Sequence, residues 1–160
     1  MSVTGSPKWS RLSAMETVYD AAGGSEGMLR LAHAWHERVM ADEIVSHAFH
    51  HGTKPDHAER LAAYWGEALG GPPAYTGMYG DEASVELLHS GNGEHDEMNH
   101  RAIACFDQAM IDAGLEDERL RGVLHDYFAW ATFTPMYHHA PEDIPEDIPV
   151  PHWSWDGRES

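Results

Sequence analysis

Histidine is the residue type with the most chemistry to offer in this chain, with 13 in 160 residues. A neutral imidazole is the commonest protein metal ligand, and its ordinary pKa of about 6.5 suits it to proton transfer near neutrality. Most surface histidines bind nothing, so the informative ones lie on apolar helix faces or at helix ends. His36 falls inside the stripe Met28, Leu31, Ala32, Trp35 and Val39. Buried without a partner it would cost about 1–3 kcal/mol, so the sequence predicts a partner for it, either a core hydrogen bond or a metal. His57 heads a face on which Leu61, Tyr64, Trp65 and Ala68 recur at steps of three and four residues. His89 closes the short apolar segment Glu82 to Leu88 and precedes a Gly-rich break. The run His95, Asp96, Glu97, flanked by His89 and His100, holds three histidines and two carboxylates, enough for the two histidines and one carboxylate that suit ferrous iron, or for a zinc site, in a small helical enzyme. Against a di-iron bundle, no Glu-x-x-His pattern repeats on two helices. His95, His100, His138 and His139 otherwise read as solvated. The single cysteine, Cys105, sits beside Phe106 and Ala109 in a helical pattern and reads as a buried structural thiol rather than a nucleophile.

These residues need helices to position them. Residues 1–12 are polar, aperiodic and read as a disordered arm. Ser13 to Ala22 reads as a short helix capped by Ser13 and stopped by Gly23-Gly24, after which Ser25 is the expected cap of a second helix carrying His36. Ile44 to Phe49 resumes an apolar pattern. Pro55 then introduces a third helix, which Gly70-Gly71-Pro72-Pro73 ends. Ala74 to Asp81 shows no clear period, and Glu82 to Leu88 forms a short helix that delivers His89. His95 or Asp96 to Ala113 and Asp117 to about Tyr137 complete the helices. No alternating strand pattern is visible. The fold class is therefore all-α, with one domain over residues 13–137. The tail, residues 138–160, is Pro-rich and acidic, repeats PEDI, and reads as extended. Its HWSW is expected to pack on the domain or on a second copy.

Ten basic and 27 acidic residues give 10 − 27 = −17 with His neutral. That field repels nucleic acid and anionic membranes, so neither is expected as a partner. No apolar run of membrane-spanning length and no signal-peptide core occurs, and the one cysteine suits a reducing compartment; a cytoplasmic protein is expected.

The stretch AAGGSEGMLRLAHAWHERVMADEIVSHAF, the third helix ending WGEALGGP, a histidine ahead of the next long helix, and DAGL between the last two helices together resemble the truncated haemoglobins, most of all their second group. The resemblance covers about residues 16 to 136, with at most a residue or so inserted near Tyr75 to Asp81. It implies a two-over-two helical sandwich around haem b. Position by position, it implies that His89 is the proximal iron ligand and that Phe49 packs on the haem. His57 and Leu61 match the two distal positions one helical turn apart, and His36 takes a second-helix place that is usually tyrosine. Tyr64 and Trp65 read as core packing that edges the pocket. Ala102 stands where the second and third groups usually carry tryptophan, and the polar SGNGEHDEM after His89 lacks the family's usual Phe and Ile.

The family's function implies reversible binding of dioxygen, nitric oxide or carbon monoxide. Distal histidines add two possibilities. A donating imidazole, His57 or His36, can stabilise a polar ligand or serve as acid and base in nitric oxide dioxygenase or peroxidase-like chemistry, which would need an electron-donating reductase. Alternatively, His57 or His36 serves as a sixth ligand, giving a bis-histidine haem for electron transfer or sensing. A further reading is a haem-free globin relative that interacts through its Pro-rich tail, and a second copy of the chain, giving a homodimer, is one partner for that tail.

Overall fold

Thr17 opens the first helix by a reciprocal cap. Its hydroxyl accepts from the Asp20 amide at 3.0 Å, and the Asp20 carboxylate accepts from the Thr17 amide at 3.4 Å. The computed structural model describes residues 16–49, 55–80, 96–133 and 149–159, and in these residues α1 spans Val18–Ala21. Thr17, rather than Ser13, is its cap; Ser13, like the N-terminal arm, lies outside the described residues. Gly23 and Gly24 both take positive φ, which reverses the chain into α2, Gly24–Ala41. The expected cap Ser25 therefore falls inside the first turn, because Gly23 already occupies the N-cap position. Gly27 lets the end of α1 lie directly on α2, since a Cβ there would run into the Ala22 carbonyl.

α2 buries the predicted stripe of Met28, Leu31, Ala32, Trp35 and Val39. Asp42 ends it and starts a 3-10 turn, Val45–Phe49, by accepting from the amides of Ile44 at 2.8 Å and Val45 at 2.9 Å. α3 spans His57–Ala68, with Asp56 at its N-cap and Pro55 one residue before it, and it stops where Gly70 turns left-handed at φ 101°. The stretch after it, which has no sequence period, contains α4, Ala74–Met78. The cause is remote: the Glu67 carboxylate on α3 accepts from the amides of Tyr75 at 3.0 Å and Thr76 at 2.9 Å and from the Thr76 hydroxyl at 2.9 Å. α5 is Asp96–Asp112 and α6 is Glu118–Phe133, the latter capped by Asp117. The expected short helix Glu82 to Leu88 and the continuation of α6 to Tyr137 lie outside the described residues.

α2 packs on both α3 and α5, and α5 packs on α6, so two helix pairs face each other. Aromatic edges fill the space between them. Trp65 meets Trp35, Phe106 and Phe128 at centroid distances of 5.9, 5.4 and 5.8 Å, and Phe106 stacks on Phe128 at 4.2 Å.

One feature departs from the all-helical expectation. Within the tail, β1, Trp153–Ser154, pairs antiparallel with β2, Gly157–Arg158, around a left-handed Gly157. Two-residue strands are too short to show an alternating pattern. The hairpin sets Trp153 against Tyr127 and Trp130 of α6, each at 5.8 Å, while the Trp155 indole donates to the Glu16 carbonyl at 2.7 Å. Arg158 lies over Trp130 and Arg119 over Trp155. The HWSW segment thus packs on its own domain.

Candidate functional site

His36 lies in the middle of α2 and His57 is the first residue of α3; the packing of these two helices brings the two rings together. Their Nδ1 atoms are 3.0 Å apart, and their centroids are 5.0 Å apart with ring planes at 60°. Both side chains are half-buried. His36 thus has the partner that its position in an apolar stripe demands. Burial lowers the His57 pKa, and electrostatic repulsion between its protonated form and the neighbouring His36 ring lowers it further against a smaller opposing pull from Asp56. His57 is therefore a neutral ring near neutrality, with lone pairs or N–H groups but no charge to offer.

Phe49, at the end of the 3-10 turn, closes one side of the pair, 5.3 Å from the His57 ring and 6.3 Å from Trp35. Leu61, one turn along α3 from His57, is half-buried against the core. His36, Phe49, His57 and Leu61 therefore form one small surface with two polar rings in an apolar frame.

Other predicted residues sit beside it. Trp65 is fully enclosed in the aromatic core, and Tyr64 turns toward α4, 5.3 Å from Tyr75. Ala102 is buried on α5, and its carbonyl accepts the Trp35 indole N–H at 3.1 Å. The indole next to His36 is consequently committed to holding α2 on α5. His89, His95 and the segment SGNGEHDEM, apart from its closing Asp96, Glu97 and Met98, lie outside the described residues. Of the alternative metal set, Asp96, Glu97 and His100 are exposed, and among the described residues no group of three or more His, Cys, Asp or Glu could hold a metal ion. Cys105 is buried, which pushes its thiol pKa up and away from nucleophilic use. A concave cleft of about 200 Å³ bordered by Tyr19, Leu29, Ala62 and Pro72 contains none of the predicted site residues. Among the described residues no helix is long and apolar enough to cross a membrane.

Sequence reasoning did not single out two residues that build this frame. Glu67 is an acid on the buried face of α3, 5 % exposed, and an acid among Trp65, Gly66 and Ala68 is a legible sign of a buried acceptor. Asp42, two residues ahead of Ile44, anchors the 3-10 turn that carries Phe49 and also accepts from Arg101 on α5 at 3.1 Å.

Known proteins share the helical fold of this chain. The family model described as bacterial-like globin matches residues 17–133. The group 1 truncated haemoglobin GlbN of Mycolicibacterium paratuberculosis is 30% identical over 111 residues, covering 68% of this chain and 76% of that protein. GlbN of a Synechocystis strain is 32% identical over 83 residues, covering 51% of this chain and 67% of its own. Among solved structures, the group II truncated haemoglobin from Bacillus anthracis superposes with a TM-score of 0.66 at 21% identity, over 76% of this chain and 90% of that one. The sequence relatives thus carry group 1 names and the structural neighbour a group II name, and what they share is the truncated globin fold. With two facing helix pairs and the family match across almost all of them, the chain belongs to the bacterial-like globin family and is a truncated haemoglobin, a haem-binding protein.

Proposed function

We propose that this protein binds haem b through His89 and reversibly binds a diatomic ligand on the side formed by His36, Phe49, His57 and Leu61. The observation that carries this reading is the pairing of two half-buried imidazoles on facing helices, beside the Phe49 ring. The donor set fits the group: neutral nitrogens in an apolar frame can donate to a polar ligand or coordinate a metal, and the burial that depresses the His57 pKa keeps that ring uncharged. When bound, haem supplies an iron centre for diatomic gases and for one-electron chemistry. The chain's own part is to exclude water with Phe49 and Leu61, to hold the imidazole nitrogens in place, and to donate or accept a hydrogen bond there. Trp65 and Ala102 support this wall from behind through their contacts with Trp35, while Tyr64 packs toward α4.

The same neutral His57 favours a second reading, in which His57 or His36 is the sixth ligand of a bis-histidine haem used for electron transfer or sensing. Turnover as a nitric oxide dioxygenase or a peroxidase would in addition call for an electron-donating partner. Absorption spectra separate the two principal readings. Carbon monoxide, dioxygen and nitric oxide should each shift the ferrous spectrum under the first. Under the second, the ferric haem is six-coordinate and low-spin, and His57→Ala or His36→Ala converts it to high-spin. A ferric spectrum unmoved in both variants removes the bis-histidine reading, and a ferrous spectrum indifferent to all three gases removes the first.

A further inference from the structure

A hydrogen bond between two ring nitrogens takes one proton and one lone pair. The Nδ1 atoms of His36 and His57 lie 3.0 Å apart, so two neutral rings cannot both carry a proton at Nδ1 or both lack one there. If His57 donates from Nδ1, its Nε2 is bare, and His36 accepts at Nδ1 and keeps its own proton on Nε2. The reverse arrangement exchanges both roles. Either way the pair offers one Nε2–H and one Nε2 lone pair. The rings are held in this relation by the packing of α2 on α3, by their mutual tilt of 60°, and by Phe49 at 5.3 Å from His57.

We propose that His36 is a positioning residue for His57: the Nδ1–Nδ1 hydrogen bond locks the two imidazoles in opposite tautomers, so that the site always carries one donor and one lone pair and never two of the same kind. The consequence for ligands rests on the haem reading given above. The Nε2–H suits the negative end of a polar diatomic molecule, whereas the bare Nε2 suits a metal or a proton donor, and the two offers are coupled. An isolated distal histidine has no such coupling, because its tautomer responds only to its own surroundings.

The test is a long-range proton–nitrogen NMR spectrum of the full chain labelled with nitrogen-15 histidine, in its ferrous form saturated with carbon monoxide, which is diamagnetic, at mildly alkaline pH. In the unmodified protein, the signals that disappear in His36→Phe and in His57→Phe should show opposite tautomers; the same tautomer in both rings overturns the proposal. In His36→Phe the His57 signals should move from a single tautomer to a mixture, and in His57→Phe the His36 signals should do the same. A tautomer unchanged after loss of its partner also overturns the proposal. Should either variant not fold, the nitrogen–nitrogen coupling across the Nδ1–Nδ1 hydrogen bond in the unmodified protein identifies the two rings, and its absence overturns the proposal. A purified protein without a Soret band would sink the haem reading alone, since the metal-free chain is itself diamagnetic and the same spectrum still decides the tautomers.

Discussion

At the scale of single residues, one buried carboxylate and one pair of half-buried imidazoles carry most of the consequences. Glu67 accepts three hydrogen bonds from the start of α4 and is 5 % exposed. Glu67→Ala leaves the Tyr75 and Thr76 amides without that acceptor, so urea unfolding should show a loss of about 1–3 kcal/mol. Glu67→Gln, which keeps one acceptor oxygen, should lose less. The His36–His57 contact was only half legible in the sequence. Each histidine could be placed on an apolar face by its spacing, and the need of His36 for a partner followed from the cost of burial. The partner itself lies 21 residues away on another helix, and no local pattern encodes which ring of one helix meets which ring of the next. The Trp35 indole shows the same limit: its bond to Ala102 spans 67 residues.

At the scale of elements, the long helices were legible because their apolar residues repeat with the helical period over many turns, as along α2, α5 and α6. Short elements were not. α4 forms because a carboxylate eight residues back receives its first amides, and the β1–β2 hairpin has two residues per strand. The start of α2 shifted from Ser25 to Gly23 because tertiary packing of α1 on Gly27 outweighed the local preference of serine for a cap. Gly27→Ala tests that packing. In an open helix the change gains up to about 1 kcal/mol of propensity. Here the new Cβ would meet the Ala22 carbonyl, and backbone cannot move aside as a side chain does. A net loss of about 1–3 kcal/mol is expected in thermal or chemical unfolding.

The turn that carries Phe49 also responds to pH. The hydrogen bond from the Val45 amide lowers the Asp42 carboxyl pKa most, burial opposes it, and the Ile44 amide and Arg101 add enough to hold it below its ordinary value. A depressed carboxylate pKa stabilises the fold above the unfolded value, and that stability is lost as pH falls through the folded value. Melting temperatures measured from neutral pH down to strongly acidic pH should therefore fall less steeply for Asp42→Asn than for the unmodified chain. Equal slopes would mean that the contacts of Asp42 do not hold the turn.

At the scale of the whole molecule, the tail acts as a clasp. Trp153 is 8 % exposed against Tyr127 and Trp130, while Trp155 reaches back to Glu16 and so ties the chain after α6 to the start of α1. Trp153→Ala should cost about 3 kcal/mol, the lower end for truncating a buried aromatic, because the clasp is short and its outer face is exposed. An unchanged melting temperature would show that the hairpin adds nothing to the domain.

The family was legible in the sequence through the double-glycine stops and the spacing of whole helices. Proximal ligation was not settled by them, since it turns on one residue, His89, at the end of a short segment. The most direct measurement is the ferrous absorption spectrum and haem content of the purified protein beside those of His89→Ala. With His89 as the proximal ligand, the unmodified protein shows a strong Soret band at one haem per chain, and the variant loses haem or changes its ferrous spectrum. A variant that keeps its haem with an unchanged ferrous spectrum would contradict it and make His95 the next residue to test.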